Sequence, residues 1–392
     1  MQITAVQEKS LPQYQGPIED RLELAYLAFA ETASQILESL LATSFVTEKS
    51  EDYSVVISLH EEIAELRESF RAFIETEKAN DPFFYAELEA LSTLLENSTY
   101  RVEYLKPVQE GISGTYFLCD KEGRPLFVLK PLDEEAGCIN NPKWFAGLSK
   151  DNPVRDFMPL YRSAMREVLA YQVALELGLD IVPKTVLAIV EGDQFHDFSE
   201  RIGLGEIDRY LETTGPIDRE KLCSVQEYVD NSKPLYEELR NLWRFGLSNQ
   251  EIAARFDQED FENASILLWT TYDTDGHFGN FLAYLKGFNS SGHQIFGIKK
   301  IDNGLAFPDE NRQLRNDLVI LENSNLPLSD SAKEKIAKID IDQLAEQLKI
   351  YHLESAIPAL RERIEYLQKI VQEPGITIKS INHLMQWIDY EI

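Results

Sequence analysis

Asp275 stands five positions before Asn280 in the run Asp273-Thr274-Asp275-Gly276-His277-Phe278-Gly279-Asn280. A carboxylate and an amide at that step suit phosphoryl transfer: the first takes the proton of an acceptor hydroxyl, the second holds magnesium. Asp302 follows a β-rich run at 295–301, where the principal metal carboxylate is required. Asn280 and Asp302 are therefore the expected metal ligands, and Asp275 the expected base. Asp273 lies seven positions from Asn280, outside the step, and reads as structural. Two roles are open to His277, contact with the transferring phosphoryl group or a cap on the loop. Asp273 and His277 are also the residues that could replace or assist Asp275.

Phosphoryl transfer needs cradled phosphates as well. Gly111-Ile112-Ser113-Gly114-Thr115-Tyr116 lies between two strand-like runs. Gly114 would let backbone amides approach phosphate oxygens, and Ser113 or Thr115 would add hydroxyl donors. Lys130 ends the hydrophobic run Pro125-Leu126-Phe127-Val128-Leu129-Lys130 and would reach the same phosphates. Glu167, in Arg166-Glu167-Val168-Leu169, is the preferred ion-pair partner for Lys130, with Glu176 the competing choice. Val225-Gln226-Glu227-Tyr228-Val229 reads as a strand connecting two lobes. Its backbone at Gln226 would hydrogen-bond an adenine edge, and Val225 and Tyr228 would supply apolar surface. ATP and Mg2+ are the cofactors that follow. No single piece is specific; their order along the chain is.

With those pieces in order, the chain resembles the phosphatidylinositol 3-/4-kinase branch of the protein-kinase-like fold, and most of all the type II phosphatidylinositol 4-kinases. The similar segments are Ser113-Gly114-Thr115-Tyr116-Phe117, Lys130-Pro131, Asn141-Pro142-Lys143-Trp144 and Leu179-Asp180-Ile181-Val182-Pro183-Lys184-Thr185. The most specific is Ile301-Asp302-Asn303-Gly304-Leu305-Ala306-Phe307-Pro308. Residues from about 105 to 310 are covered. The resemblance implies that Lys130 binds ATP phosphates, that Asp275 is the base and that Asn280 with Asp302 holds magnesium. It also implies an inositol lipid as phosphate acceptor; a protein hydroxyl on the same scaffold is the alternative, and AMP transfer or a binding module is a third. Two departures stand out. Type II enzymes carry a cysteine cluster after the segment matching 141–144, where this chain has none and Cys138 stands alone. The family's catalytic loop usually has a basic residue beside the base, whereas Gly276 and His277 follow Asp275.

These residues need elements to position them. Strand-like alternation at 102–104, 115–119, 125–130, 181–190 and 222–229 is followed by helical periodicity from residue 235 onward, with helices expected at 259–271, 331–349, 355–372 and 379–390. A helix is also expected at 158–177. Residues 1–98 read as a helical domain, with Leu59, Ile63, Leu66, Phe70 and Phe73 forming one apolar stripe. The expected fold is α+β: a two-lobed protein-kinase-like fold with an added N-terminal helical domain and a helical C-terminal region. The expected boundaries are 1–98, 99–230 for the ATP-binding lobe with a helical insertion, and 231–392.

Composition narrows the partners. With 38 basic and 67 acidic side chains the formal charge is −29, which excludes nucleic acid as a ligand. Residues 1–100 hold 19 acidic against 6 basic side chains, an acidic face that a basic protein partner would suit. No apolar run reaches 18 residues, so no transmembrane segment is expected. The first 17 residues lack the apolar centre of a signal peptide, which points to a cytoplasmic protein, peripheral at membranes in the lipid reading. Export by a route that reads other signals stays open. Three cysteines without paired spacing suit a reducing compartment.

Overall fold

Short runs of alternating apolar side chains build the first sheet. In the computed structural model, which describes residues 105–136, 141–143, 162–191, 195, 220–308, 313–351 and 353–391, these runs are β1 (Leu105–Pro107), β2 (Tyr116–Cys119) and β3 (Pro125–Pro131). Helix α1 (Ser163–Glu176) precedes β4 (Thr185–Glu191), and β5 (Glu220–Glu227) completes the sheet in the order β1-β2-β3-β5-β4. Phe127 and Leu129 point inward from β3 to meet Leu118, Val186, Ala188, Cys223 and Val225, while Lys130 takes the alternate face. The expected N-terminal helices, Cys138, Trp144 and the insertion before residue 220 lie outside the described residues.

The chain divides into two compact units, one of Met1–Ala164 with Val186–Gln226, the other of Met165–Thr185 with Glu227–Ile392. Most of α1 therefore belongs with the second unit. There β6 (Ser232–Pro234), α2 (Leu235–Arg244) and α3 (Asn249–Ala253) lead to α4 (Gln258–Thr271). Asp257 opens α4 by accepting the Asp260 amide at 3.1 Å, and Glu259 and Asp260 complement the helix dipole in its first turn. Every residue from Asp260 to Thr271 is buried, so α4 is the central helix of this unit rather than an amphipathic surface one.

A hairpin follows α4, of β7 (Phe281–Phe288) and β8 (Gln294–Lys300), with β6 on the far edge of β7. The helices α5 (Asp330–Ala337), α6 (Ile341–Ile350), α7 (Ile357–Ile370) and α8 (Ile378–Glu391) close the unit, and α5, α7 and α8 lie against α4. The single helix expected at 331–349 is two. Asp340 accepts the amides of Asp342 at 3.0 Å and Gln343 at 3.1 Å, so the chain stops and restarts there. The 181–190 strand starts later than expected, at Thr185, because Ile181–Pro183 form a turn.

Candidate active site

The second unit carries Asp275, Asn280, Asp302 and Glu167. Helix α4 ends at Tyr272, whose φ of 50° is the left-handed conformation that non-glycine residues rarely adopt. It turns the chain sharply out of the helix, and the guanidinium of Arg363 on α7 covers the Tyr272 ring at 3.2 Å from its centroid. Asp273 comes next and is fully buried. Its Oδ1 accepts the Asp275 amide at 2.7 Å, and its Oδ2 lies 2.8 Å from the Lys300 ammonium, also fully buried. Lys300 donates onward to the carbonyls of Ile301 at 2.9 Å and Asp302 at 3.0 Å. The structural role expected of Asp273 thus has a concrete form: one ion pair ties the loop of Asp275 to the loop of Asp302.

Asp275 itself remains half accessible. Its Oδ2 accepts the Asn280 side-chain amide at 3.1 Å, and the same Nδ2 donates to the Asp275 carbonyl at 2.9 Å. His277 caps the short 3-10 turn Phe278–Asn280 by accepting the Gly279 amide at Nδ1, 2.9 Å away. An acceptor Nδ1 leaves the ring proton on Nε2, which stands 3.6 Å from Asp275 Oδ2. The cap open to His277 in the sequence is made, and its ring faces Asp275 as well. Burial pushes the Asp275 carboxyl above its ordinary range; His277 opposes this, while Asp273 and Asp302 add to it.

Asp302 is held next to this loop because the Ile301 amide donates to the Asn280 carbonyl at 2.9 Å. Its φ of 56° places it in the left-handed region, a strained conformation of the kind found where a side chain must be aimed. The next amide, of Asn303, donates to Glu167 Oε2 at 2.9 Å. Helix α1 therefore grips the loop of Asp302 through Glu167. Thr274 adds a further link, its hydroxyl donating to the Leu305 carbonyl at 3.1 Å. Asn303 is buried, and neither polar atom of its side chain has a hydrogen-bond partner among the described residues.

Among the described residues no three His, Cys, Asp or Glu side chains gather into a metal cage. Magnesium needs less, since one or two protein oxygens suffice where phosphates and water complete its shell. Asn280 donates through Nδ2, which turns its Oδ1 away from Asp275. That oxygen and the Asp302 carboxylate are hard donors, and they fit the ion.

The first unit carries the glycine loop and Lys130. Gly114 donates its amide to the Glu134 carbonyl at 2.8 Å, and a Cβ there would stand 2.1 Å from Glu134 Oε2. Glycine is demanded at this position by Glu134, not only by an approaching ligand. Ser113 Oγ accepts the Ala136 amide at 3.2 Å, and Asn141 donates to the carbonyls of Ile112 at 2.9 Å and Glu134 at 3.0 Å. Glu134 meanwhile bridges the Tyr116 hydroxyl at 2.6 Å and the Lys221 ammonium at 2.5 Å. Asn141 and Glu134 thus hold the loop of Ser113, Gly114 and Thr115 down from beneath. Lys130 lies on β3 and Gln226 on β5, with Tyr228 two residues on.

Sequence reasoning missed Lys300, Arg315 and Asp317. Alternation along β8 would have found the first, since Phe296, Ile298 and Lys300 share the inward face. Arg315 comes from a loop beyond the motif, its Nη1 3.6 Å from Asp275 Oδ1, and no local pattern announces it.

Comparison with known proteins agrees with the motif. A phosphatidylinositol 4-kinase gamma 6 of Arabidopsis thaliana is 23% identical over 288 residues, 72% of this chain and 42% of the relative. A phosphatidylinositol 4-kinase type 2-alpha of Xenopus laevis is 29% identical over 224 residues, 51% of this chain and 47% of the relative. The chain is similar to phosphatidylinositol 4-kinases. It spans less than half the length of these curated relatives. No known family profile matches the chain. Among solved structures, a Golgi casein kinase aligns at 14% identity over 74% of this chain and 78% of its own, with a TM-score of 0.41, too low to carry an argument.

Proposed function

We propose that the chain is an ATP- and magnesium-dependent phosphotransferase that moves the γ-phosphoryl group to a hydroxyl of an inositol lipid headgroup. The observation that carries this reading is the braced set of Asp275, Asn280 and Asp302, tied together by Asp273 and Lys300. The inositol lipid rests on the relatives, which are named as phosphatidylinositol 4-kinases. Asp275 takes the acceptor proton. The acceptor oxygen bonds to the γ-phosphorus as the bridging β–γ bond breaks, and ADP leaves with that electron pair. Burial makes Asp275 a stronger base, and the Asn280 amide keeps its carboxylate oriented. Magnesium, held by Asn280 and Asp302, supplies charge neutralisation at the phosphates. In the same reading Lys130 and the loop of Ser113, Gly114 and Thr115 receive the phosphates, while Gln226 and Tyr228 receive the adenine. A lipid acceptor makes the protein peripheral at a membrane. Among the described residues no helix is long and apolar enough to cross one.

The test offers γ-labelled ATP with magnesium to phosphoinositide liposomes and, in parallel, to protein extracts. Label enters lipid, and Asp302→Ala abolishes it while the variant stays folded by circular dichroism. Unchanged turnover in that variant removes the assignment of Asp302; label in protein bands alone removes the lipid acceptor. A parallel run with α-labelled ATP exposes AMP transfer, since only that reaction leaves the α-label on the acceptor.

A further inference from the structure

The residue after the base is a glycine, and the structure gives a reason. A Cβ on Gly276 would stand 2.2 Å from the backbone carbonyl oxygen of Arg315. No side chain fits there, basic or otherwise. The closeness comes from a short backbone pairing: the Arg315 amide donates to the Asp273 carbonyl at 3.2 Å, and the Asp317 amide to the Gly276 carbonyl at 2.9 Å. The segment that closes off position 276 thus brings an arginine to the base from the other side.

The guanidinium of Arg315 is oriented rather than loose. Its Nε and Nη2 face the two carboxylate oxygens of Asp317 at 3.2 and 3.3 Å, a forked pair. This leaves Nη1 directed at Asp275 Oδ1, 3.6 Å away, beyond hydrogen-bonding length. The two oxygens of the base therefore face different neighbours. Asn280 and His277 attend Oδ2, on the side of the proposed metal ligands, and Arg315 alone among the described residues attends Oδ1. The arginine side chain is 49% exposed, so the fork with Asp317 by itself stabilises little.

A cation held beside a general base weakens it, which is a handicap unless the same cation meets charge that the reaction brings. In phosphoryl transfer that charge spreads over the equatorial oxygens of the group in flight, which meets the acceptor oxygen beside the base. We propose that Arg315 contacts the transferring phosphoryl group on the side of Asp275 away from Asn280, and that Asp317 is its positioning residue. This rests on the phosphotransferase reading above and adds a catalytic residue to it. The loop in which the resembled family carries its basic residue is closed to one here, and Arg315 supplies the charge from the segment that closes it.

The test reads binding as well as rate. The affinity of the full chain for MgADP is measured by calorimetry with and without tetrafluoroaluminate, a mimic of the phosphoryl group in flight, in the wild type, Arg315→Ala and Arg315→Lys. Tetrafluoroaluminate tightens MgADP binding to the wild type. Arg315→Ala keeps its MgADP affinity within about twofold but loses most of that tightening, and its kcat falls on the order of 100-fold. Arg315→Lys restores part of both, because it returns the charge without the fork. Tightening in Arg315→Ala equal to wild type overturns the proposal while leaving the kinase reading intact. So does loss of MgADP affinity or of melting temperature in step with activity, which marks a structural role. A wild type that binds MgADP but shows no tightening also overturns it, and one that binds no MgADP overturns the phosphotransferase reading itself.

Discussion

At the scale of single residues the site turns on one carboxyl. Burial raises the Asp275 pKa, and of the neighbouring charges Asp273 and Asp302 push it further up while His277 and Lys300 pull it down. A folded pKa above the unfolded one means that folding favours the protonated form. The stability linked to this group is complete below the unfolded pKa and is lost as pH rises through the folded one. Wherever Asp275 is ionised, its charge is therefore a destabilising element of the fold. Asp275→Asn should lower turnover by roughly 10²- to 10⁴-fold and yet raise the melting temperature at pH 7. At about pH 3 the gain in melting temperature should shrink, since the wild-type carboxyl is then largely protonated in both states. The acid limb of the wild-type pH–rate profile should sit above the ordinary aspartate range near 4. A variant less stable than wild type at pH 7, or an acid limb below pH 4, would contradict this account.

Elements meet in this site through the buried pair of Asp273 and Lys300, which joins the end of α4 to the end of β8. Two opposite charges with no solvent access hold one another, so removing one is worse than removing both. Asp273→Ala should destabilise the protein by about 3–5 kcal/mol in urea titration. Adding Lys300→Met should recover much of that stability without recovering turnover, because the links to the Asp275 amide and the Asp302 carbonyl stay broken. Equal stabilities of the single and double variants would show that the pair does not act as a unit. The elements were unevenly legible from sequence. Local signals sufficed for β3, for α4 and for the start of α5. The strand β7 escaped because it starts directly from the motif loop, and Lys286 and Gly287 blur its later alternation. The split at Asp340 escaped because helical periodicity runs through it. In the site, the contact of Asp275 with Asn280 was readable from their five-residue step, whereas the nearness of Asp302 comes from the Ile301 amide bonding to the Asn280 carbonyl. Lys300, Arg315 and the grip of Glu167 on Asn303 depend on which segments fold beside that loop, and sequence separation hides such contacts.

Over the whole molecule the dominant fact is a formal charge of −29. A lipid kinase must approach a surface that is itself negative, and under the proposed lipid reading this chain would do so against repulsion. Repulsion reaches about 30 Å at 0.01 M salt and about 8 Å at 0.15 M. If the acceptor is an inositol lipid in an anionic vesicle, the apparent KM for lipid should fall several-fold as salt rises between those concentrations. The same lipid presented in neutral detergent micelles should show a much weaker salt dependence, while the KM for ATP changes alike in both. Rising salt that weakens turnover on anionic vesicles would mean that a local basic surface, not the net charge, governs docking. The sign of this dependence separates the two modes of approach without knowledge of the docking face, because only a locally attractive contact is weakened by screening.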